Sequence, residues 1–202
     1  MRRGFKAEAE RHAASLGTAI GCSDLQSPNL ANIAAHLRVA VLPADQLLDG
    51  GVGDLLTLHR TQPGAFSAAT FSPPGRRHLV VYNPVDLDGR YLSPTEAKLD
   101  GRIRSNVAHE FSHFILDHDV RRVQKIAEHY FFTCNPEQEE EANWLAGALL
   151  LPRPLLVEAA RQRLSDEQIS TLHNVSVEMA RFRMNATGAK MQVARARRSR
   201  SA

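Results

Sequence analysis

Apolar and polar positions change rhythm along this chain, and the changes mark its elements. Phe5 to Leu16 reads as a helix, closed by Gly17 and followed by a loop through Gly21 to Pro28. Asn29 to Leu37 reads as a second, short helix leading into the apolar run Val39-Ala40-Val41-Leu42, which predicts a strand. Gly50 to Gly53 breaks the chain. Two strand-like segments follow, Ala65 to Phe71 and His78 to Asn83, separated by Ser72-Pro73-Pro74-Gly75, a spacing that suits a hairpin with a longer loop. From Ser93-Pro94-Thr95-Glu96, which can start a helix, the remainder reads as mostly helical. The pattern predicts an α+β chain, a small antiparallel sheet packed on a helical half.

Composition narrows the class. The 202 residues suit one compact domain, expected over residues 1–188, followed by a basic tail over 189–202. No stretch approaches the roughly 20 apolar residues that cross a bilayer, so no membrane partner is expected. Met1 to Lys6 carries charge with no apolar run after it, which predicts no secretory leader and a cytoplasmic protein. Cys22 and Cys134 are then expected as free thiols, with Cys134 weighed as a metal donor against a small buried apolar residue. The net charge of +3 belongs to the tail. Setting aside its Lys190, Arg195, Arg197, Arg198 and Arg200, the 25 basic residues of the whole chain fall to 20 against 22 acidic. Such a tail can hold nucleic acid or another polyanion, but the plainer expectation is a disordered, solvated segment.

One motif carries chemistry. His109-Glu110-Phe111-Ser112-His113 is His-Glu-x-x-His, and two histidines four apart on a helix project from adjacent turns toward one ion. Glu110 stands beside them, where it can accept a proton from a metal-activated water. With 9 His in 202 residues, chance alone gives the pattern in about 2% of such chains, so geometry must add weight. At about 100° per residue, Val107, Ala108, Phe111, Phe114 and Ile115 form one apolar stripe, and the two histidines point well away from it. Core histidines would lie within that stripe.

A catalytic zinc site takes three protein ligands and keeps one position open. The third donor is expected from Asn135 to Pro152, where Asn135 suits an N-cap, Pro136 the first helical position, and Gln138 a capping pair. Acids also sit well against the helix dipole there, which alone would explain their presence. Glu139, Ala142, Asn143 and Ala146 share a face whose small residues would let another helix approach. Glu139 is therefore the first choice, Glu141 and Glu140 remain alternatives, and Asn143 could orient a ligand.

These residues resemble the ImmA/IrrE family of metallo-endopeptidases, which pair a His-Glu-x-x-His helix with a downstream Glu-x-x-x-Asn/Asp helix ending in Leu-Leu-x-Pro. The matching positions are His109 to His113 with His118 after it, Glu139 to Asn143, and Leu149-Leu150-Leu151-Pro152. Phe66 to Ala68, Val80 to Asn83 and Val175 to Arg183 extend the likeness over roughly residues 5–187. The resemblance implies a zincin-like helical half and a single Zn2+ held in a gluzincin-like manner by His109, His113 and Glu139. It also implies Glu110 as general base and a protein substrate, typically a helix-turn-helix repressor. A further donor should stabilise the developing oxyanion, with Tyr82, His118, His129 and Tyr130 as candidates, and the strand His78 to Asn83 could offer an edge to an extended substrate. Two other classes compete. One is a zinc-containing regulator without proteolysis. The other is a DNA-binding module, because Ser165 to Arg181 resembles the turn and second helix of a helix-turn-helix.

Overall fold

Phe5, Ala9, Ala13 and Leu16 recur at helical spacing and are buried, so the first helix, α1 (Phe5–Ala19), lays one stripe on the core. A computed structural model describes residues 1–47, 50–62, 66–71, 78–118, 122–126, 129–133 and 135–199, with residues 71, 122–126 and 129–133 described by their backbone. After α1 come α2 (Leu30–Leu37), β1 (Ala40–Pro43), α3 (Gly51–Thr61), β2 (Ala68–Phe71) and β3 (Leu79–Tyr82). The second half runs α4 (Pro94–Leu99), α5 (Gly101–Ile115), β4 (Arg122–Ile126), β5 (His129–Thr133), α6 (Pro136–Leu150), α7 (Arg153–Arg161), α8 (Asp166–His173), α9 (Val177–Thr187) and α10 (Ala189–Arg198). The fold is α+β, as the pattern predicted.

The sheet departs from expectation in direction. β3 is its centre, antiparallel to β2 from Ala68↔Tyr82 to Phe71↔Leu79, and parallel to β1 from Ala40↔Leu79 to Pro43↔Tyr82. The hairpin was legible, but the sheet is mixed rather than antiparallel. A parallel pair needs a crossover connection, and α3 supplies a helix within it. That helix begins inside the glycines read as a break. Gly51 takes φ +55, and Leu55 is buried with Ala44, Val81 and Val85 under the sheet. Tertiary burial outweighs the poor helix propensity of a Gly-rich start. A second difference is the pairing of β4 with β5 inside the half read as helical. The segment is rich in Val, Ile, Tyr, Phe and Thr, which favour strands.

Two cores flank α5. One joins Phe5, Ile33, Val80, Val107, Phe111, Leu145 and Leu149; the other joins Ala108, Ala146, Leu150, Leu156, Ile169, Ala180 and Met184. Phe111 is wholly buried, worth roughly 2–3 kcal/mol of apolar transfer. The strongest helix packing is α5 on α6; α1 also packs on α6, and the sheet lies against α5.

The expected solvated tail is also corrected over 189–198. Gly188 at φ +64 ends α9, and α10 then buries Ala189 and Val193 and packs on α7. The basic residues occupy its outer face, which composition could not distinguish from a disordered tail. No helix among the described residues is long and apolar enough to cross a membrane.

Candidate metal centre

Asp100 caps α5 by accepting from the Ile103 N–H, and the helix then delivers His109 and His113 one turn apart. Their Nε2 atoms lie 2.9 Å from each other, with ring centroids 4.6 Å apart. α6 starts at the expected place: Asn135 and Gln138 form a reciprocal capping box and Pro136 opens the helix. Ala108, Ala142 and Ala146 are fully buried, and their small side chains let α5 and α6 lie close. Glu139 then projects to the imidazole pair, Oε2 3.1 Å from His109 Nε2 and Oε1 3.5 Å from His113 Nε2. One donor atom from each of the three lies within 4.8 Å of the others.

The set suits a metal ion. Three lone-pair donors converging on one point repel unless a proton or cation lies among them. Around an ion about 2.0–2.2 Å from each donor, tetrahedral geometry separates donors by roughly 3.3 Å, close to the spacings observed. Hydrogen bonds to His109 and then His113 hold the Glu139 carboxyl well below the usual carboxylate range. Burial pulls the His109 imidazole down, but the Glu139 hydrogen bond, the charges of Glu110 and Glu139, and Asn143 outweigh it and leave it raised.

The neighbours sort the remaining expectations. Asn143 Oδ1 lies 2.9 Å from His109 Nδ1, one turn on from Glu139. Glu141 and Glu140, the alternative third donors, face elsewhere: Glu141 is buried against Arg2 at 2.9 Å, and Glu140 takes the Met1 amine at 2.8 Å. His118 sits behind His113, its Nδ1 3.0 Å from the His113 Nδ1, and not on the open side of the cluster. Tyr82 belongs to the core, where burial first, then Tyr91 and Asp45, push its phenol up. Neither is therefore placed as an oxyanion donor. The side chains of His129 and Tyr130, and all of Cys134, lie outside the described residues. Sequence reasoning missed Thr70, whose hydroxyl donates to Glu110 Oε2 at 2.7 Å from a strand forty residues earlier. The strand expected to offer an edge, β3, is paired on both sides; among the described strands, β2 with its Thr70 is the edge next to α5.

The family described as the IrrE N-terminal-like domain, a peptidase family, matches residues 94–185. That segment is similar to the ImmA/IrrE metallopeptidases. The match opens at α4 and closes within α9, so it holds both histidines and Glu139, while Thr70 and Arg2 lie outside it. It is narrower than the likeness read over 5–187, though the domain it identifies is of the expected kind. Nothing among curated proteins or solved structures matches the chain. The match supports a metallopeptidase-type function, and the His109/His113/Glu139 cluster is compatible with a metal ion.

Proposed function

We propose that the protein is a zinc endopeptidase in which His109, His113 and Glu139 hold one ion and Glu110 is the general base. The single observation that carries this reading is the convergence of two Nε2 atoms and one carboxylate from separate helices. A bound zinc would polarise a scissile carbonyl and make water a usable nucleophile near neutral pH. Glu110 takes the proton from that water and passes it to the leaving amine. Thr70 occupies Oε2 of Glu110, which leaves Oε1 as the oxygen that carries the proton. Asn143 accepts from His109 Nδ1 and so leaves the Nε2 lone pair, which would hold the ion, on the side of His113 and Glu139. An extended peptide would lie along β2, the strand edge that meets α5, by main-chain pairing. The proposed substrate is a helix-turn-helix repressor in the cytoplasm, an inference from the family resemblance.

The test is Glu110→Gln, incubated with the helix-turn-helix repressor encoded nearest the gene. The variant should bind zinc as the parent does and cut about 10²–10⁴ times more slowly. Cutting at the parental rate removes Glu110 from the mechanism. If the parent itself leaves the repressor intact with and without chelator, the non-proteolytic regulator takes its place.

The DNA-binding reading finds less support. In α9 Arg183 is fully buried, donating to the Leu151 carbonyl and to Glu10, and Arg181 pairs with Asp166 at 3.4 Å. Ile169, Val175, Ala180 and Met184 bury the α8–α9 pair in a core. Phosphate contacts need accessible cations; Arg183 is not one, and Arg181, though exposed, faces Asp166.

A further inference from the structure

The end of α5 folds one more imidazole back on the cluster. Asp117 takes the left-handed φ +49, and its N–H bonds to Phe114 O at 3.2 Å while the His118 N–H bonds to His113 O at 3.0 Å. These are the paired bonds of a Schellman ending, and they bring the His118 ring beside the outer edge of His113. The two Nδ1 atoms lie 3.0 Å apart, with ring centroids at 5.1 Å. On its far side His118 Nε2 faces Glu141 Oε2 at 3.6 Å, and it is a buried atom without a closer hydrogen-bond partner among the described residues. The other Glu141 oxygen accepts from the Arg2 backbone N–H at 3.0 Å and Nε at 2.9 Å. The His118 and Glu141 side chains are only 6% and 4% exposed, so water does not decide their protonation partners.

Two ring nitrogens 3.0 Å apart require one proton between them. A carboxylate accepts and cannot donate, so Glu141 favours the His118 tautomer with its proton on Nε2. The His118 Nδ1 is then a lone pair, and the proton between the rings belongs to His113 Nδ1. A neutral His113 protonated there has its free lone pair on Nε2, the atom that faces His109 and Glu139.

We propose that His118, oriented by Glu141, is a positioning residue that holds His113 in the Nδ1–H tautomer and so presents its Nε2 to the metal. The proposal rests on the metal-centre reading above. It makes the two ligands mirror one another: Asn143 from α6 accepts from His109 Nδ1, and the His118–Glu141 pair does the same for His113 through one extra ring. Groups behind a ligating histidine commonly set its tautomer and orientation. The opposite tautomer of His118 would place a proton on His113 Nε2, inside the cluster.

The experiment compares the full-length parent with His118→Phe, His118→Asn and Glu141→Gln. Zinc affinity is read by competition with a chromophoric chelator, and the His113 tautomer by ¹⁵N ring shifts in the zinc-free protein. The parent should show His113 protonated at Nδ1. His118→Phe keeps the bulk but loses the acceptor, and Glu141→Gln introduces an amide that can donate to His118. Both should give mixed His113 tautomers and zinc binding weaker by about 10–100-fold. His118→Asn, whose amide oxygen can stand where Nδ1 stood, should recover most of the affinity. If His118→Phe does not fold, Glu141→Gln with its unchanged shape decides the matter by the same two readings. Variants that bind zinc within about twofold of the parent with the His113 tautomer unmoved overturn the proposal. A parent that binds no zinc overturns the metal-centre reading instead, while the zinc-free ring shifts still decide whether His118 sets the tautomer.

Discussion

Two helix pairs of this protein carry polar residues that look functional in sequence, and they use them in opposite ways. In α5–α6 the polar side chains of both helices meet each other: His109, His113, Glu139 and Asn143 converge within hydrogen-bonding distances at the mouth of a close, alanine-lined contact. In α8–α9 they turn away from any common point. Arg183 dives into the core to close the Leu151 carbonyl and Glu10, and Arg181 closes on Asp166. Local motifs propose chemistry in both. Only convergence distinguishes a site from a scaffold.

The comparison breaks most severely at Glu139. Glu139→Gln should weaken zinc binding by more than about 100-fold, since even partners behind a ligand are worth 10–100-fold, and should abolish cleavage. Calorimetric zinc titration checks it; parental affinity would mean that the third donor lies elsewhere.

Arg183→Ala tests the second pair. It should lower stability by about 2–4 kcal/mol, through a buried carbonyl losing its partner and a cavity left by the side chain. Urea unfolding reads this, and zinc affinity should be unaltered in the folded fraction. A stable variant would show that Arg183 is not the clamp between α9 and the end of α6.

Gly147→Ala is smaller. An exposed helical Gly→Ala gains about 1 kcal/mol from propensity. Here the new methyl would lie 2.6 Å from Arg183 Cδ and 3.1 Å from Met179 Sδ. Overpacking of that kind costs about 1–3 kcal/mol, so the clash wins and Tm should fall by a few degrees. A rise in Tm would show that Arg183 can move aside.

The smallest effect concerns the approach to the first pair. Ser93 side-chain and backbone bonds, then Arg90, hold Glu96 down at about 2 against its ordinary 4.5. A depressed carboxyl contributes stability above 4.5 that is lost as pH falls through about 2. The α4 cap should therefore loosen between those two values, and Glu96→Gln should remove that part of the pH dependence. Amide exchange at Ala97 reports it, and an unchanged profile in the variant would assign the loosening to other groups.

Much of the first pair was legible because it is local. The His-Glu-x-x-His spacing, the Asn135–Gln138 cap and the shared face of Glu139 and Asn143 all follow from helical periodicity within a few turns. The same rule ranked Glu139 ahead of Glu141, its neighbour two places on, without setting Glu141 aside. It did not reveal what Glu141 does, because Arg2 lies 139 residues away. Thr70 was equally hidden: a threonine in a strand has no local mark that it meets Glu110. The parallel pairing of β1, the helix opening at Gly51 and the packed α10 were missed for a related reason. In each, burial against distant residues overrode a local signal that pointed elsewhere.

The chain by itself determined the candidate donors and their stems: the helix that carries His109 and His113, the start of the one that carries Glu139, and which side chains share a face, since these depend on dihedral preferences and contacts a few residues apart. Tertiary structure alone decided what surrounds those donors. The hydroxyl on Glu110, the ring behind His113 and the burial of Arg183 depend on which segments lie against one another, and that is set by packing of the whole core.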